Sequence, residues 1–249
     1  MSVDQADSRP TATRRSRPSR PFVITFSGID GAGKTTQIDR LSLSLQEQGL
    51  SVLRLSYWDD VAVWSNVRAG HGSKESGHAD GTADVPFVPR NNKHVRKWYL
   101  SAARSGLYLL DVARLRRLLA RQPAKGSDVI IFDRYIYDQI ANLYSPSFAA
   151  RVYARILLKV APAPDLAFVL DASPTAAFAR KPEYPLEFMH KNRRTFLLLR
   201  ELIPPMIIIS DGLPDDVRSE ICSHINRSRL PAGTLPEEKT EVPEASAVA

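Results

Sequence analysis

One cysteine in 249 residues removes two kinds of chemistry at once. Cys222 has no partner for an intrachain disulfide and cannot by itself build a thiolate metal site, so it is expected to be a small filler on the helix after the last strand. No apolar stretch approaches the roughly 20 residues that cross a bilayer, and the N-terminus lacks the apolar block of a secretory signal. The expectation is a soluble, cytoplasmic protein with no membrane partner. His71 and His78 lie near one another, but without a cysteine beside them they are not expected to hold a metal.

What is present has the balance of a globular chain, with 43% hydrophobic and 24% charged residues, enough for one α/β domain with a substantial core. The formal net charge is +7, and its location matters more than its size. Residues 1–21 hold five arginines against Asp4 and Asp7, whereas residues 230–249 hold Lys239 against Glu237, Glu238, Glu241 and Glu244, so the tails contribute +3 and −3 and cancel. The excess lies between them. A basic fold suits a protein that clamps several phosphates, and on charge alone it equally suits nucleic acid. The first 21 residues, rich in Ser, Arg, Pro and Thr, read as a disordered basic arm, and residues 230–249 as a disordered acidic tail.

Five apolar runs alternate with helical stretches: Phe22 to Phe26, Ser51 to Ser56, Val129 to Phe132, Leu166 to Leu170 and Met206 to Ile209. Runs of this kind separated by helices indicate a parallel sheet covered on both faces, so the expected fold is α/β, a three-layer, doubly wound, five-stranded parallel sheet. Ligands in such sheets lie beyond the carboxyl ends of the strands. Residues with chemistry follow the runs: Asp30 with Lys34, then Trp58 to Asp60, then Asp133-Arg134-Tyr135, then Asp171, then Asp211. Gly70, Gly72, Gly77 and Gly81, set among Ser, His and Asp, mark a mobile loop within 70–92.

The first of these sites is specific. Gly28-Ile29-Asp30-Gly31-Ala32-Gly33-Lys34-Thr35 fits the phosphate-binding pattern G-x-x-x-x-G-K-[ST] and follows a strand at the point where a helix from Gly33 to Gln48 begins. Its glycines let successive N–H groups point at a polyphosphate, Lys34 reaches the outer phosphates, the Thr35 hydroxyl can ligate Mg²⁺, and the helix N-terminus faces the anion. The chain is therefore read as binding a nucleoside triphosphate with Mg²⁺. Asp133-Arg134-Tyr135 then puts a carboxylate, a guanidinium and a phenol at the mouth of a central strand. Arg134 can grip a phosphate through two parallel hydrogen bonds, and Asp133 can hold the Mg²⁺ shell or orient the attacking group. A structural ion pair at the strand end is the competing reading.

The sequence resembles the thymidylate kinase family of P-loop nucleoside monophosphate kinases over most of residues 22 to 228. The likeness rests on Phe26 to Gln37, on Asp133-Arg134-Tyr135, on Leu170-Asp171-Ala172-Ser173-Pro174 followed by Ala176 to Arg180, and on Ile207-Ile208-Ile209-Ser210-Asp211 with a helix from Asp215 to Arg227. By that resemblance residues 22–229 form a P-loop kinase domain. Gly28, Asp30, Gly31, Ala32, Gly33, Lys34, Thr35 and Thr36 would hold ATP; Thr35 and Asp133 the metal; Asp30, Arg104 and Arg134 the acceptor nucleotide. Arg104 would lie on a long helix from roughly Lys93 to Leu119. A short lid at 180–194 would bring Arg180, Lys181, Arg193 and Arg194 to the transferring phosphoryl, with Lys34, Asp133 and Arg134 carrying catalysis. A homodimer is also implied.

The departures fall on the acceptor side. Where the family carries Arg-Glu-Pro-Gly after the second strand, this chain has Ser56-Tyr57-Trp58-Asp59-Asp60. Where the family lines its base pocket, the chain reads Ile136-Tyr137-Asp138-Gln139-Ile140-Ala141-Asn142-Leu143. The leading expectation is ATP-dependent phosphorylation of dTMP to dTDP, with small nucleotides as partners rather than nucleic acid. A same-fold kinase for another nucleotide, nucleoside or sugar phosphate remains open, as does a non-catalytic ATP-binding regulatory module.

Overall fold

The computed structural model describes residues 20–63, 98–143, 148–200, 203, 206–228, 230 and 235. The expected mobile loop at 70–92 and nearly all of the expected arm and tail lie outside them. The five runs become five strands, β1 (Phe22–Ser27), β2 (Val52–Ser56), β3 (Val129–Asp133), β4 (Leu166–Asp171) and β5 (Met206–Ser210). Every neighbouring pair is parallel, in the order β2-β3-β1-β4-β5. The α-helices among the described residues are α1 (Lys34–Glu47), α2 (Trp98–Lys125), α3 (Ile136–Leu143), α4 (Phe148–Val160), α5 (Pro174–Arg180), α6 (Leu186–Leu199) and α7 (Pro214–Asn226), with one π-helical turn, Tyr57–Val61, after β2.

The runs are continuous because successive side chains of one strand enter different cores. Val129 and Ile131 join Ile38, Leu41 and Leu45 of α1 and Ile221 and Ile225 of α7 on one face. Ile130 and Phe132 join Val112 and Leu115 of α2, Ile140 of α3, Leu157 of α4 and Phe196 of α6 on the other. All four strand residues are fully buried. The outcome is the expected three-layer, doubly wound sheet.

Three boundaries differ from expectation for local reasons. Helix α2 continues past Leu119 to Lys125, with Pro123 confined to its final turn, and Gly126 closes that end by donating to the Gln122 carbonyl at 3.2 Å. The folded unit also reaches beyond 229, since Leu230 and Leu235 are buried against the α1 and α7 core. Leu235 is fastened by both backbone groups to the Asn226 side chain, at 2.8 and 3.1 Å. At the other end, Arg20 reaches Asp165 with two hydrogen bonds, 2.9 and 2.5 Å long.

The loop between β1 and α1 is pressed against its neighbours. A Cβ on Gly28 would lie 2.6 Å from the Leu170 carbonyl oxygen, and one on Gly31 2.4 Å from that of Ala177. Both have positive φ, 135° and 80°. Gly33, at φ 84°, would direct its Cβ into open space. Gly31→Ala is therefore expected to destabilise by ~2–4 kcal/mol, an overpacking cost added to a left-handed one, against ~1 kcal/mol for Gly33→Ala. Urea denaturation of the two variants measures the difference, and equal losses would mean that the loop is not held against α5.

Candidate active site

Gly33, in the left-handed conformation, turns the chain from the loop into α1, whose first residue is Lys34. The lysine is only 6% exposed. Its Nζ donates to the carbonyls of Gly28, at 3.0 Å, and Ile29, at 2.8 Å, and lies 3.8 Å from Asp30 Oδ1. Burial holds this ammonium down to about 8, with Arg134 adding to the effect and Asp30, Asp138 and Asp133 opposing it. Ala32 packs at the edge of a small cluster with Ile29, Ala172, Ala177 and Met189, while Thr35 and Thr36 are exposed on the first turn of α1.

The end of β3 stands beside this loop because β3 is the neighbour of β1, with Asp133 in register with Phe26. Arg134 carries a left-handed backbone, φ 65°, unusual for a residue with a side chain, and its N–H donates to the Phe26 carbonyl at 2.8 Å. Its guanidinium contacts Asp30 through one terminal nitrogen and Asp138 Oδ1, at 3.1 Å, through the other. Burial works against the charge of Arg134, but Asp138, Asp30 and Asp133 together outweigh it and raise the guanidinium above its ordinary value. Asp133 Oδ1 is buried without a hydrogen-bond partner.

Tyr135 corrects the reading of Asp-Arg-Tyr as three groups at the strand mouth. It is fully buried, its hydroxyl donates to the Pro162 carbonyl at 2.7 Å, and its ring packs edge-on against Phe132 and Tyr137. It braces the strand end from behind. Arg104 lies on α2, as expected, though its side chain is outside the described residues.

On the opposite side of the loop a cleft of about 110 Å³ opens between Gly33, Thr36, Asp171, Arg180, Asp211 and Pro214. The sequence marked Asp171 and Asp211 as strand-end residues but carried no sign of Pro214 or Val217 as walls, because these arrive from α7. The lid candidates part company here. Arg193 gives two hydrogen bonds to Asp171, 2.5 and 2.8 Å long, and is thereby tied to the end of β4. Arg180 stands 3.8 Å from Asp211 on the cleft rim, and Arg194 is exposed. Lys181 pairs with Glu183 at 3.1 Å on the surface.

The donor set for a metal is sparse but suitable. Asp133 supplies a buried, unpartnered carboxylate oxygen, which is costly to leave unsatisfied, and Thr35 an exposed hydroxyl. Such a set suits an Mg²⁺ that draws its other ligands from phosphate and water. Among the described residues no group of three or more His, Cys, Asp or Glu side chains forms a self-contained cage. Two carboxylates that sequence reasoning did not use, or used only in passing, belong to this site. Asp138 binds Arg134, and Asp171 binds Arg193.

No protein-family model matches the chain. It is 26% identical over 227 residues to a probable thymidylate kinase of Pyrococcus horikoshii, covering 85% of this chain and 98% of that one. It is 27% identical over 233 residues to a thymidylate kinase of Chlorobaculum parvum, covering 84% and 98%. The solved structure of thymidylate kinase from Candida albicans matches with a TM-score of 0.55 at 20% identity, over 83% of this chain and 91% of that one. At that identity it speaks for the fold alone.

Lys34 makes the site's electrostatics measurable. The unfolded lysine titrates near 10.5 and the folded one near 8, so the unfolded chain binds the extra proton between these values; stability rises with pH across that window, and the burial cost is fully present below pH 8. Lys34→Met removes that cost. Without nucleotide the variant is expected to exceed the parent in stability at pH 7 by ~1–3 kcal/mol, an advantage that shrinks toward pH 10. Urea titrations at both pH values check this, and a less stable variant at pH 7 would show that the two carbonyl contacts outweigh burial.

Proposed function

Because the chain belongs to the thymidylate kinase family, we propose that it transfers the γ-phosphoryl group of ATP to dTMP, giving ADP and dTDP. One observation carries this reading: Asp30 touches both Lys34, in the phosphate loop, and Arg134, at the end of the adjacent strand. Two cations suited to two different phosphates thus share one carboxylate. That is the spacing a phosphoryl transfer requires, since donor and acceptor must meet in line and both are negatively charged.

In the reaction an oxygen of the acceptor phosphate bonds to the γ-phosphorus. The bond from that phosphorus to the bridging oxygen breaks, and the oxygen leaves on ADP with the electron pair. Lys34, turned off the Gly28 and Ile29 carbonyls, takes the outer donor phosphates, while the backbone N–H groups of the loop from Gly28 to Thr36 take the rest. The cleft beside Asp171 and Asp211 receives the nucleoside end of the donor. Arg134 grips the acceptor phosphate and Asp30 keeps the two cations apart, and the family resemblance assigns Arg104, a residue of α2, to the acceptor as well. Arg180 and Arg194, both exposed, close over the donor and exclude water, whereas Arg193 anchors the lid through Asp171. Thr35 and Asp133 would hold Mg²⁺, which would supply charge neutralisation for the donor phosphates.

The protein works in the cytoplasm as a homodimer in this reading. No described helix is long and apolar enough to cross a membrane, and Leu109 and Leu110 of α2 and Phe148 of α4 are exposed. A different small acceptor is the second reading, favoured by Gln139. This residue of the altered acceptor-side stretch gives its amide nitrogen to Asp111, at 2.9 Å, and its oxygen accepts from the Tyr57 hydroxyl, at 3.3 Å, so neither end is presented to a base.

Coupled ADP release across dTMP, dUMP, CMP, nucleosides and sugar phosphates decides between the two readings. Strong preference for dTMP is expected, and preference for another acceptor would replace it. Lys34→Ala is expected to abolish turnover and leave the fold intact, with a loss in kcat of about 10²-fold or more. Arg134→Ala should raise KM for the acceptor and lower kcat; an effect confined to ATP affinity would refute its placement on the acceptor.

A further inference from the structure

Asp138 is 2% exposed, and its carboxylate meets three donors, two from the turn after β3 and one from β1. Oδ2 accepts from the Ser27 hydroxyl of β1 at 2.6 Å and from the Tyr135 N–H at 3.1 Å, while Oδ1 accepts from Arg134 at 3.1 Å. The bond to the Tyr135 N–H is ordinary, because a carboxylate third in a helix commonly satisfies the N–H just ahead of the first turn. The other two are not. A helix-starting carboxylate normally sits at the surface, where it needs neither a buried serine nor a guanidinium.

We propose that Asp138 is a positioning residue for phosphoryl transfer, fixing the guanidinium of Arg134 where it meets the acceptor phosphate. This rests on the reading of Arg134 as the acceptor's phosphate ligand. An arginine side chain is long and has many rotamers, and ordering it only when the phosphate arrives weakens binding. Arg134 is ordered beforehand at three points. Its N–H is bound by Phe26, one terminal nitrogen by Asp30 and the other by Asp138. A guanidinium has five N–H donors, so two such contacts leave others for a phosphate. The left-handed backbone at φ 65° points the same way, since a residue with a side chain holds that conformation only where its surroundings enforce it. Ser27 then sets the carboxylate itself. Its hydroxyl stands at the end of β1, one residue before the phosphate loop, so the acceptor arginine is aligned from the same strand that presents the donor loop.

Asp138→Asn preserves size and can still accept from the Tyr135 N–H, but it loses the charge that faces Arg134. Calorimetry without turnover should show dTMP binding weakened by about tenfold, with Mg·ATP binding changed by less than about twofold. In an Arg134→Ala background the same substitution should change dTMP binding by less than about twofold, because the two side chains act as one unit. Ser27→Ala, which removes only the hydroxyl that orients the carboxylate, should weaken dTMP binding by about threefold and carries the test if Asp138→Asn does not fold. Unchanged dTMP affinity, an equal loss for both nucleotides, or an effect that persists without Arg134 would each overturn the proposal. Arg134→Ala by itself separates the two claims. If it leaves dTMP affinity unchanged, the acceptor reading fails and takes this inference with it; if it weakens dTMP while Asp138→Asn does not, only this inference fails.

Discussion

A positive charge held where water scarcely reaches is the constraint around which this site is organised. Lys34 can stay protonated near neutral pH only because two loop carbonyls accept from it and Asp30 stands within 3.8 Å. Those carbonyls point inward because the loop has a tight curl, and the curl exists because Gly28 and Gly31 lie flat against the backbones of β4 and α5. Every part of the arrangement is unfavourable by itself: a dry ammonium, left-handed backbone, a carboxylate oxygen of Asp133 with nothing to accept from. In the proposed reading a polyphosphate would give the ammonium an anion and its cation would give the Asp133 oxygen a partner, so that binding would relieve both costs at the place where the chemistry occurs.

Strand order then decides what lies on each side of the loop. With β1 central in β2-β3-β1-β4-β5, the loop has β3 as one neighbour and β4 as the other. The β3 side carries Asp133, Arg134 and Asp138, while the β4 and β5 side carries the cleft with Asp171 and Asp211. Two ligands can therefore approach one loop from opposite flanks without sharing a wall. The pairing of Arg193 with Asp171 adds an asymmetry, since this ion pair fastens α6 to the end of β4, on the cleft side of the loop.

The strands were legible to within one residue because a parallel sheet buried on both faces forces unbroken apolar runs, and Val129 to Phe132 shows why: neighbours in sequence serve opposite cores. The phosphate loop was legible because its function requires particular residues at fixed spacing along the chain. Asp138 was not. In sequence it is one of three polar residues, with Gln139 and Asn142, in the helix Ile136–Leu143, and nothing local tells a surface helix starter from a buried partner of Ser27, which lies 111 positions earlier. Tyr135 was misread for the same reason. Its neighbours Asp133 and Arg134 turn toward the loop, but the turn at φ 65° sends the phenol the other way, to Pro162. Contacts set by the path of the chain in space leave no periodic trace in the sequence.

The fastening of Leu235 to Asn226 bears on how the molecule can be handled. Leu235 is fully enclosed beside α1 and α7, so the interior closes nine residues after the last helix ends at Asn226. A carboxyl-terminal fusion has to be joined downstream of that leucine. A protease that cuts ahead of it removes a plug from the interior, and the trimmed protein should bare greasy surface beside α1 and α7 rather than merely lose a tail.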